Sequence, residues 1–471
     1  MLITFLVFAA VFLVVLALAI VYLYPGSGSN TTIPGLDPSD PKDGNLADIG
    51  RAGSFHEFLI EMQEKFGDIS SFWMGQQFVV SLASPELHKE VSHLFDRPPS
   101  LFLLFEPFIT MSSLQYANGA DGRKRRNLYD ASFSHTAMLP YYEIFQTNID
   151  ELVKKLASKS DDEHIPLTEY MFALAIKNIA IATMGLHFKN DKEVLKLRHN
   201  YDVCWSDMES RLTGSMPEPG SERLKKFDEA KEGVNKVISA ALEKRKKDGA
   251  PSGEHLFIDA LLDSGASEDV VSADALTYLV GGFHTTGFAL TWALYFIASH
   301  QDVQNKVVKE IKSVLGDKDV SPDMIEDLRY MKQVINETFR CSVLAPMSAR
   351  FSEKEIEVGG HKIPAGTPLV LATGNLLQNE ELFKEPNKFD PDRFDEDAMK
   401  SLPKYAYEPF GFAGKRKCPG YRFAYVELSV VLATLLRNLK FDLVEGQVVV
   451  SEYGLVTKPK EEIWVTVSPR K

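Results

Sequence analysis

One stretch near the C-terminus places a single cysteine in a basic loop that contains glycines: Phe410-Gly411-Phe412-Ala413-Gly414-Lys415-Arg416-Lys417-Cys418-Pro419-Gly420. From Tyr421 onward apolar residues recur at helical spacing, so Cys418 lies just before a helix. Nearby cations and a helix N-terminus both lower the pKa of a thiol and favour the thiolate, which is the form that binds a metal. Glycines such as Gly414 and Gly420 let the backbone turn tightly beside a flat ligand. The stretch therefore predicts an iron-ligand loop, and the alternative is that Cys418 is a small buried packing residue.

Six residues of this loop and the following helix resemble the haem-thiolate signature of the cytochromes P450. They match it in order and spacing: Gly414, Arg416, Cys418, Gly420, Ala424 and Glu427. The resemblance implies haem b (iron protoporphyrin IX) with Cys418 as the axial thiolate ligand, and it implies haem contacts from Gly414, Arg416, Gly420 and Ala424. The family usually has one residue fewer between the phenylalanine and the first glycine. Either Phe410, with an insertion, or Phe412 therefore covers the sulfur, and Phe412 is the residue that we include in the cofactor site.

A second resemblance concerns an ion-pair network. Glu337 and Arg340 are three residues apart, which places them on one face of a helix, although such pairs are also common on solvated helix surfaces. Arg393, in the segment from Phe389 to Phe394, resembles the family arginine that completes a glutamate–arginine–arginine cluster. Buried charges are tolerated only when they are paired, so we predict a closed structural network of Glu337, Arg340 and Arg393. Between these elements, residues 351–372 alternate and turn like a small antiparallel sheet.

The third resemblance departs from the family pattern. Residues 274–299 form a long, almost uncharged helical pattern with Gly281-Gly282-Phe283-His284-Thr285-Thr286 at its middle. The glycines and polar residues favour a buried helix over a second membrane span. In the family, a glycine here approaches the haem, an acid follows, and a threonine directs protons to the iron-bound oxygen. We assign Gly282 to the haem and Thr285 to the proton role, while His284 occupies the acid position and can relay protons without copying the charge of a carboxylate.

The fourth resemblance is a basic cluster, Arg123-Lys124-Arg125-Arg126. It resembles the helix that offers a tryptophan and an arginine to a haem propionate, with Arg126 at the arginine position and Gly122 at the tryptophan position. One propionate hydrogen bond is therefore either missing or made by another residue. The other three charges are interpreted as a solvated basic face.

The extreme N-terminus predicts a membrane anchor. Residues 2–24 carry no charge, and at 1.5 Å per residue this length covers roughly 34 Å, enough for a hydrocarbon core of about 30 Å. A cleavable signal peptide would have a basic start and a shorter apolar segment. Residues 25–48 are rich in Pro, Gly, Ser, Asn and Asp and predict a flexible stalk. We therefore divide the chain into an anchor (1–24), a stalk (25–48) and a haem domain (49–471).

Composition limits the class of protein. The chain has 471 residues, is 45% hydrophobic and has a formal net charge of −13, which argues against nucleic acid as a partner. Its three cysteines show no paired spacing, which favours a reducing compartment. The predicted fold class is mainly α (α+β): a helical haem-thiolate domain of the cytochrome P450 fold with small β-sheets, preceded by one transmembrane helix.

The resemblance is strongest to the animal orphan cytochrome P450 family numbered 20, and it implies the reaction and the partners. The reaction would be insertion of one dioxygen atom into an apolar small molecule. Electrons would come from NADPH through NADPH–cytochrome P450 reductase, a flavin enzyme, with cytochrome b5 as a second candidate partner. The location would be the endoplasmic reticulum membrane, with the catalytic domain cytosolic. Two alternatives remain: a haem-thiolate isomerase or peroxide-using enzyme, and a non-catalytic haem-binding or ligand-sensing membrane protein.

Overall fold

The computed structural model describes residues 31–186, 188, 190–212, 215–250, 255–411, 414 and 416–470. Within these residues, α-helices dominate and the strands are short. The helices are, in chain order, α1 Leu46–Ala52, α2 Phe55–Phe66, α3 Pro85–Glu90, α4 Pro99–Phe102, α5 Gly119–Tyr129, α6 Leu139–Ala157, α7 Leu167–Met184, α8 Asp191–Leu212, α9 Glu222–Asp248, α10 Phe257–Leu262, α11 Glu268–Ser299, α12 Gln301–Val314, α13 Arg329–Ser342, α14 Thr373–Leu377, α15 Glu396–Ser401 and α16 Tyr421–Asn438. The prediction of a mainly helical domain is confirmed.

The strands form small sheets at the edges of the helical body. They are β1 Ile69–Met74, β2 Gln77–Leu82, β3 Ile165–Pro166, β4 Ser348–Arg350, β5 Ile356–Val358, β6 His361–Ile363, β7 Leu369–Leu371, β8 Leu439–Leu443, β9 Ser451–Glu452, β10 Lys458–Pro459 and β11 Trp464–Pro469. The largest sheet has the order β1-β2-β7-β4, in which β2 and β7 are parallel. The antiparallel pair of β5 and β6 confirms the small sheet predicted between residues 351 and 372.

Two long helices position the site. Helix α11 begins after Ser267 with Glu268 and Asp269 in its first turn, where acidic side chains favour the positive end of the helix dipole. Most of its length is buried in the main hydrophobic core, against α7. Helix α16 begins at Tyr421 and packs on α6 through rings such as Phe423 and Phe145, whose centroids are 5.0 Å apart. The pattern at 274–299 is therefore a buried helix, as predicted.

The N-terminal part of the described chain packs on β1. Ile33 is buried, Gly35 forms a parallel bridge with Ser71, and the backbone N–H of Leu36 donates to the Ser71 carbonyl at 2.9 Å. A Cβ on Gly35 would lie 2.1 Å from that carbonyl oxygen, so only glycine fits there. Residues from Ile33 onward, which the sequence assigns to the stalk, thus contact the folded body. The domain limits drawn from the sequence stay a prediction.

The predicted anchor, residues 1–24, lies outside the described residues. A search of the helices that the structure does describe finds none that combines the length and the apolar character of a membrane span.

Candidate functional site

Cys418 lies in the loop that ends where α16 begins. Its backbone N–H donates a 3.0 Å hydrogen bond to the Phe410 carbonyl, which ties the cysteine to the start of the loop. Gly414 has a φ of 95°, in the region that favours glycine. Gly420 has a φ of −83°, which any residue adopts, and a Cβ there would lie 3.9 Å from the Cys418 Sγ, an ordinary contact. The tight-turn explanation therefore applies to Gly414 alone.

Of the two phenylalanines considered for covering the sulfur, the structure describes only Phe410. Its ring packs against Phe339 and Tyr425, with centroid distances of 5.2 Å in each case. Phe412 lies outside the described residues and stays a prediction. Ala424 lies in the first turn of α16, where its N–H donates to the Gly420 carbonyl at 2.9 Å.

The pKa of the Cys418 thiol is raised. Burial is the largest cause, and it outweighs the Gly420 amide and the Arg126 and Arg97 guanidinium groups, which all lower the pKa. The sequence prediction of a lowered thiol pKa is therefore wrong for the chain by itself. The local cations favour the thiolate but do not produce it, whereas a bound metal ion deprotonates a coordinating thiol outright.

Four arginine side chains converge beside Cys418: Arg97, Arg126, Arg350 and Arg416. Burial lowers the pKa of Arg416 to about 8, with added repulsion from the other three arginines. Burial and repulsion by Arg97 and Arg126 lower the pKa of Arg350 to about 9. Burial and repulsion by Arg126 lower the pKa of Arg97 to about 10. Buried cations of this kind are tolerated when anions pair with them, so the cluster forms a site for negative charge.

Two arginines of this cluster, Arg126 and Arg416, have clear partners within the described part of the chain. Arg126 pairs with Asp130 through hydrogen bonds of 2.8 and 3.0 Å. Arg416 donates from Nη1 to the Ala117 carbonyl at 2.9 Å and from Nη2 to the Leu114 carbonyl at 2.7 Å. Its buried Nε atom has no partner among the described residues. A thiol beside such a cluster fits haem, because the cofactor combines a thiolate-binding iron with two carboxylates.

Gly122 has no room for a side chain. A Cβ built on it would lie 2.3 Å from the Ala117 carbonyl oxygen and 3.0 Å from Nη1 of Arg416. The space that a side chain at position 122 would need is thus filled by backbone and by a guanidinium group. Arg125, which the sequence assigned to a solvated basic face, is instead buried and forms an ion pair with Asp274 at 3.1 Å. That interpretation was wrong because Asp274 lies at the buried start of α11.

Helix α11 presents one open position beside Thr285. Gly281 is exposed, and a Cβ built on it would meet no atom of the described residues within 4 Å. The Thr285 hydroxyl donates to the Gly281 carbonyl at 2.8 Å. Gly282 differs, because a Cβ there would lie 2.4 Å from Cδ1 of Ile179 on α7. Gly282 therefore serves helix packing, and Gly281 is the glycine on the open face of the helix. The sequence did not single out Gly281. The haem contact of Gly282 stays a prediction.

His284 is packed among aromatic rings and is only 5% exposed. Its ring centroid lies 4.3 Å from that of Trp205, 4.9 Å from that of Phe288 and 5.5 Å from that of Phe172. Burial lowers the pKa of His284 to about 3, with a further contribution from Lys458. The side chain is therefore neutral at physiological pH, and its Nδ1 atom has no partner among the described residues.

The predicted network of Glu337, Arg340 and Arg393 is present. Arg340 donates to both carboxylate oxygens of Glu337, at 2.7 and 2.8 Å, and both side chains are fully buried. The Arg393 Nε atom lies 3.4 Å from Glu337 Oε1, within ion-pair distance but without hydrogen-bond geometry. Arg340 also donates to the carbonyls of Leu377 and Pro386, at 3.0 and 2.7 Å. The network therefore fixes α13 to the segment that leads toward the Cys418 loop.

Sequence reasoning missed Arg97 and Arg350. Arg97 precedes two prolines, and Arg350 ends the short strand β4, so neither has a periodic or motif signal of its own. The structure shows that Arg350 is buried at the end of a three-residue strand, a feature that the sequence does not reveal. Both become visible as site residues only because the fold brings them to Cys418.

Comparisons with known proteins agree with this geometry. The family model described as cytochrome P450 matches residues 34–466. Cytochrome P450 20A1 of Bos taurus is 34% identical over 99% of this chain and 99% of its own length, and the Homo sapiens protein of the same name gives the same values. Human cytochrome P450 4V2 is 28% identical over 88% of this chain and 85% of its own length. The chain therefore belongs to the cytochrome P450 family, whose members bind haem through a cysteine thiolate and are in general monooxygenases.

Proposed function

We propose that the chain inserts one atom of dioxygen into an apolar organic substrate, using electrons that a flavin reductase takes from NADPH. The observation that carries the proposal is the arginine cluster of Arg97, Arg126, Arg350 and Arg416 beside Cys418, since it combines a thiolate ligand with a site for two carboxylates. Haem, when bound, supplies the iron at which dioxygen is activated. Cys418 would hold that iron through its thiolate and would donate electron density to it, a property that favours O–O cleavage in thiolate-ligated haem proteins.

Thr285 is the residue that we assign to proton delivery. Its hydroxyl is half-buried and donates to the Gly281 carbonyl, so its oxygen can accept a hydrogen bond from water while the helix backbone holds the group in place. His284 gives no comparable support, because its ring is neutral and enclosed by aromatic side chains. Proton delivery thus relies on Thr285 and water rather than on a charged side chain at position 284.

The cysteine side of the chain also carries exposed cations that suit an acidic electron donor. Arg123, Lys124 and Arg422 are exposed. Arg123 lies over the Phe95 ring at 4.6 Å, and Arg416 lies over the same ring at 4.7 Å, so the exposed charge is next to the loop. Electrostatic steering by such a patch raises association rates at low salt. We assign this patch to the reductase, with cytochrome b5 as a second candidate.

Charge reversal tests the docking assignment. Arg123→Glu and Arg422→Glu should slow the first electron transfer from NADPH–cytochrome P450 reductase, with the loss greatest at low ionic strength. Lys236→Glu, an exposed change on α9, is the matched control. Reduction rates that are the same for all variants across a salt series would contradict the assignment.

The decisive experiment on the chemistry is spectroscopic. The reduced carbon monoxide complex of the wild type should show the red-shifted Soret band of a thiolate-ligated haem, and Cys418→Ser should lose it. A wild-type band at the position typical of histidine ligation would overturn the proposal. Reductase-dependent NADPH consumption with an oxygenated product then separates a monooxygenase from its alternatives.

A second candidate function is a haem-thiolate isomerase or peroxide-using enzyme. The neutral, enclosed His284 favours it, because such reactions do not depend on a charged proton donor next to Thr285. The two candidates differ in one measurement: the second would turn over with peroxide or with no reductant at all, and the first would not.

The location in the cell is a further part of the proposal. The uncharged segment at residues 2–24 supports a single N-terminal anchor, and family membership supports the endoplasmic reticulum with the catalytic domain in the cytosol. Truncation of residues 1–24, followed by separation of soluble and membrane fractions, tests the anchor directly.

A further inference from the structure

The segment from Ser112 to Ala117 lies between helix α11 and the Cys418 loop, and one residue in it contacts both sides. The Leu114 N–H donates to Oδ1 of Asp274 at 2.5 Å. The Leu114 carbonyl accepts from Nη2 of Arg416 at 2.7 Å. Asp274 and Arg416 are almost fully buried, at 0% and 2% exposure, so water does not compete for these bonds. One residue therefore connects an α11 carboxylate to a guanidinium group of the arginine cluster.

Asp274 holds this segment at a second point through Arg125. Nη1 of Arg125 lies 3.1 Å from each Asp274 oxygen and donates to the Ser112 carbonyl at 2.9 Å. Nη2 of Arg125 donates to Asp121 at 2.7 Å. The segment is thus fixed at both Ser112 and Leu114 by Asp274 and its partner Arg125. Asp274 lies on α11 and Arg125 lies on α5.

The other end of the segment is fixed by Arg416 itself. Nη1 of Arg416 donates to the Ala117 carbonyl at 2.9 Å, and Gly122 leaves the space in which this bond forms. With both Nη atoms used to bind backbone carbonyls, the plane of the guanidinium group is set by the position of the segment. The buried Nε atom, which has no partner among the described residues, is then a donor left to face an anion.

We propose that Asp274 is a positioning residue for the cofactor: through Arg125 and the backbone of Leu114 it orients Arg416 toward a haem carboxylate, in place of a side chain at position 122. The inference rests on the haem site but not on the monooxygenase reaction, since its test measures haem release. Asp274 bonds to the Leu114 N–H and to Arg125, and the effect that we propose for it passes through Arg416.

The test is the rate at which haem leaves the full-length holoprotein for an excess of apomyoglobin. Asp274→Asn should speed this transfer roughly tenfold, because one charge-assisted contact is lost. Asp259→Asn is the matched control: Asp259 is also a buried carboxylate that accepts from an arginine, Arg245, and from a backbone N–H, but it bonds to no residue of the 112–117 segment. The control should release haem at the wild-type rate.

A double-mutant cycle separates positioning from general stability. In an Arg416→Gln background, Asp274→Asn should change the transfer rate by less than about twofold, because the group it orients is gone. A full tenfold effect in both backgrounds would overturn the proposal, as would a wild-type rate for Asp274→Asn alone. Should Asp274→Asn fail to yield holoprotein, Arg125→Lys decides: it keeps a cation beside Asp274 but loses the guanidinium fork that joins Asp274 to the Ser112 carbonyl. Faster haem transfer supports the proposal, and a wild-type rate contradicts it.

Discussion

The two sides of the site differ in polarity and charge. The cysteine side, defined by Cys418 and the arginine cluster, is polar and positively charged. The helix side, defined by the α11 residues Gly281 to Thr285 with their aromatic neighbours, carries no charged group at its centre, since His284 is neutral. Charge on the first side binds anions and holds a loop, whereas the second side offers packing and a single hydroxyl. Mutations should therefore act electrostatically on the cysteine side and sterically on the helix side.

The largest expected effect comes from the buried ion pair that supports the cysteine side. Arg340→Leu leaves the Glu337 carboxylate buried without its bidentate partner, so the free energy of unfolding should fall by about 3–5 kcal/mol. Arg393→Leu is the control, because its 3.4 Å contact with the same carboxylate lacks hydrogen-bond geometry, and it should lose clearly less. Denaturant unfolding of both variants measures the difference, and equal losses would contradict this description of the network.

A second test uses the pH dependence of the cysteine side. Burial raises the pKa of Glu427 on α16 to about 8, so the folded chain keeps this carboxyl protonated where the unfolded chain has lost the proton. As pH rises from about 4.5 to about 8, the free energy of unfolding therefore falls by up to roughly 1.4 kcal/mol per pH unit. Glu427→Gln cannot ionise and keeps an acceptor for Asn178, which donates to Glu427 at 2.8 Å.

The stability advantage of Glu427→Gln over the wild type should accordingly grow between pH 5 and pH 8 and then level off. Thermal unfolding at a series of pH values measures it. Glu445→Gln, at an exposed position, should show no such trend. A difference between Glu427→Gln and the wild type that is constant with pH would mean that Glu427 is ionised in the folded chain.

On the helix side, two neighbouring glycines should respond differently to the same methyl group. Gly282→Ala places a Cβ 2.4 Å from the Ile179 side chain, and overpacking of this kind costs about 1–3 kcal/mol. Gly281→Ala meets no described protein atom within 4 Å, so in the haem-free chain it should be neutral, or stabilising by up to about 1 kcal/mol through its helix propensity. Denaturant midpoints compare them, and the reverse order would show that Gly281 is the packed position.

The smallest effect is expected at His284. His284→Phe replaces one flat ring by another in the aromatic surroundings of Trp205 and Phe288, so stability should change by less than about 1.5 kcal/mol. Turnover with the reductase should persist, because the neutral imidazole is not the proton donor. Loss of turnover in a variant that keeps its fold and haem would show instead that the imidazole relays protons, and Thr285→Ala provides the comparison.

Sequence reasoning predicted the helices and the ion-pair network better than it predicted which side chains of each helix are buried and what they contact. The buried helix over 274–299 and the helix after Cys418 follow from short-range patterns, the Glu337–Arg340–Arg393 network follows from resemblance to the family, and the structure contains all three. Arg125 was misassigned because its partner, Asp274, is 149 residues away in the chain. Gly281 and Gly282 could not be told apart, since both are glycines in one helical turn and only the position of α7 distinguishes them.

The sequence by itself determined the cysteine, its basic loop and the helix that follows, because these depend on neighbours within a few residues. Only the tertiary structure decided which arginines meet Cys418. Arg97, Arg126, Arg350 and Arg416 come from four separate segments and are drawn together as those segments pack. Tertiary packing likewise keeps the His284 ring neutral and leaves no room for a side chain at Gly122. Burial and approach distance set the charge and the available space of a side chain, and neither quantity is encoded in local spacing.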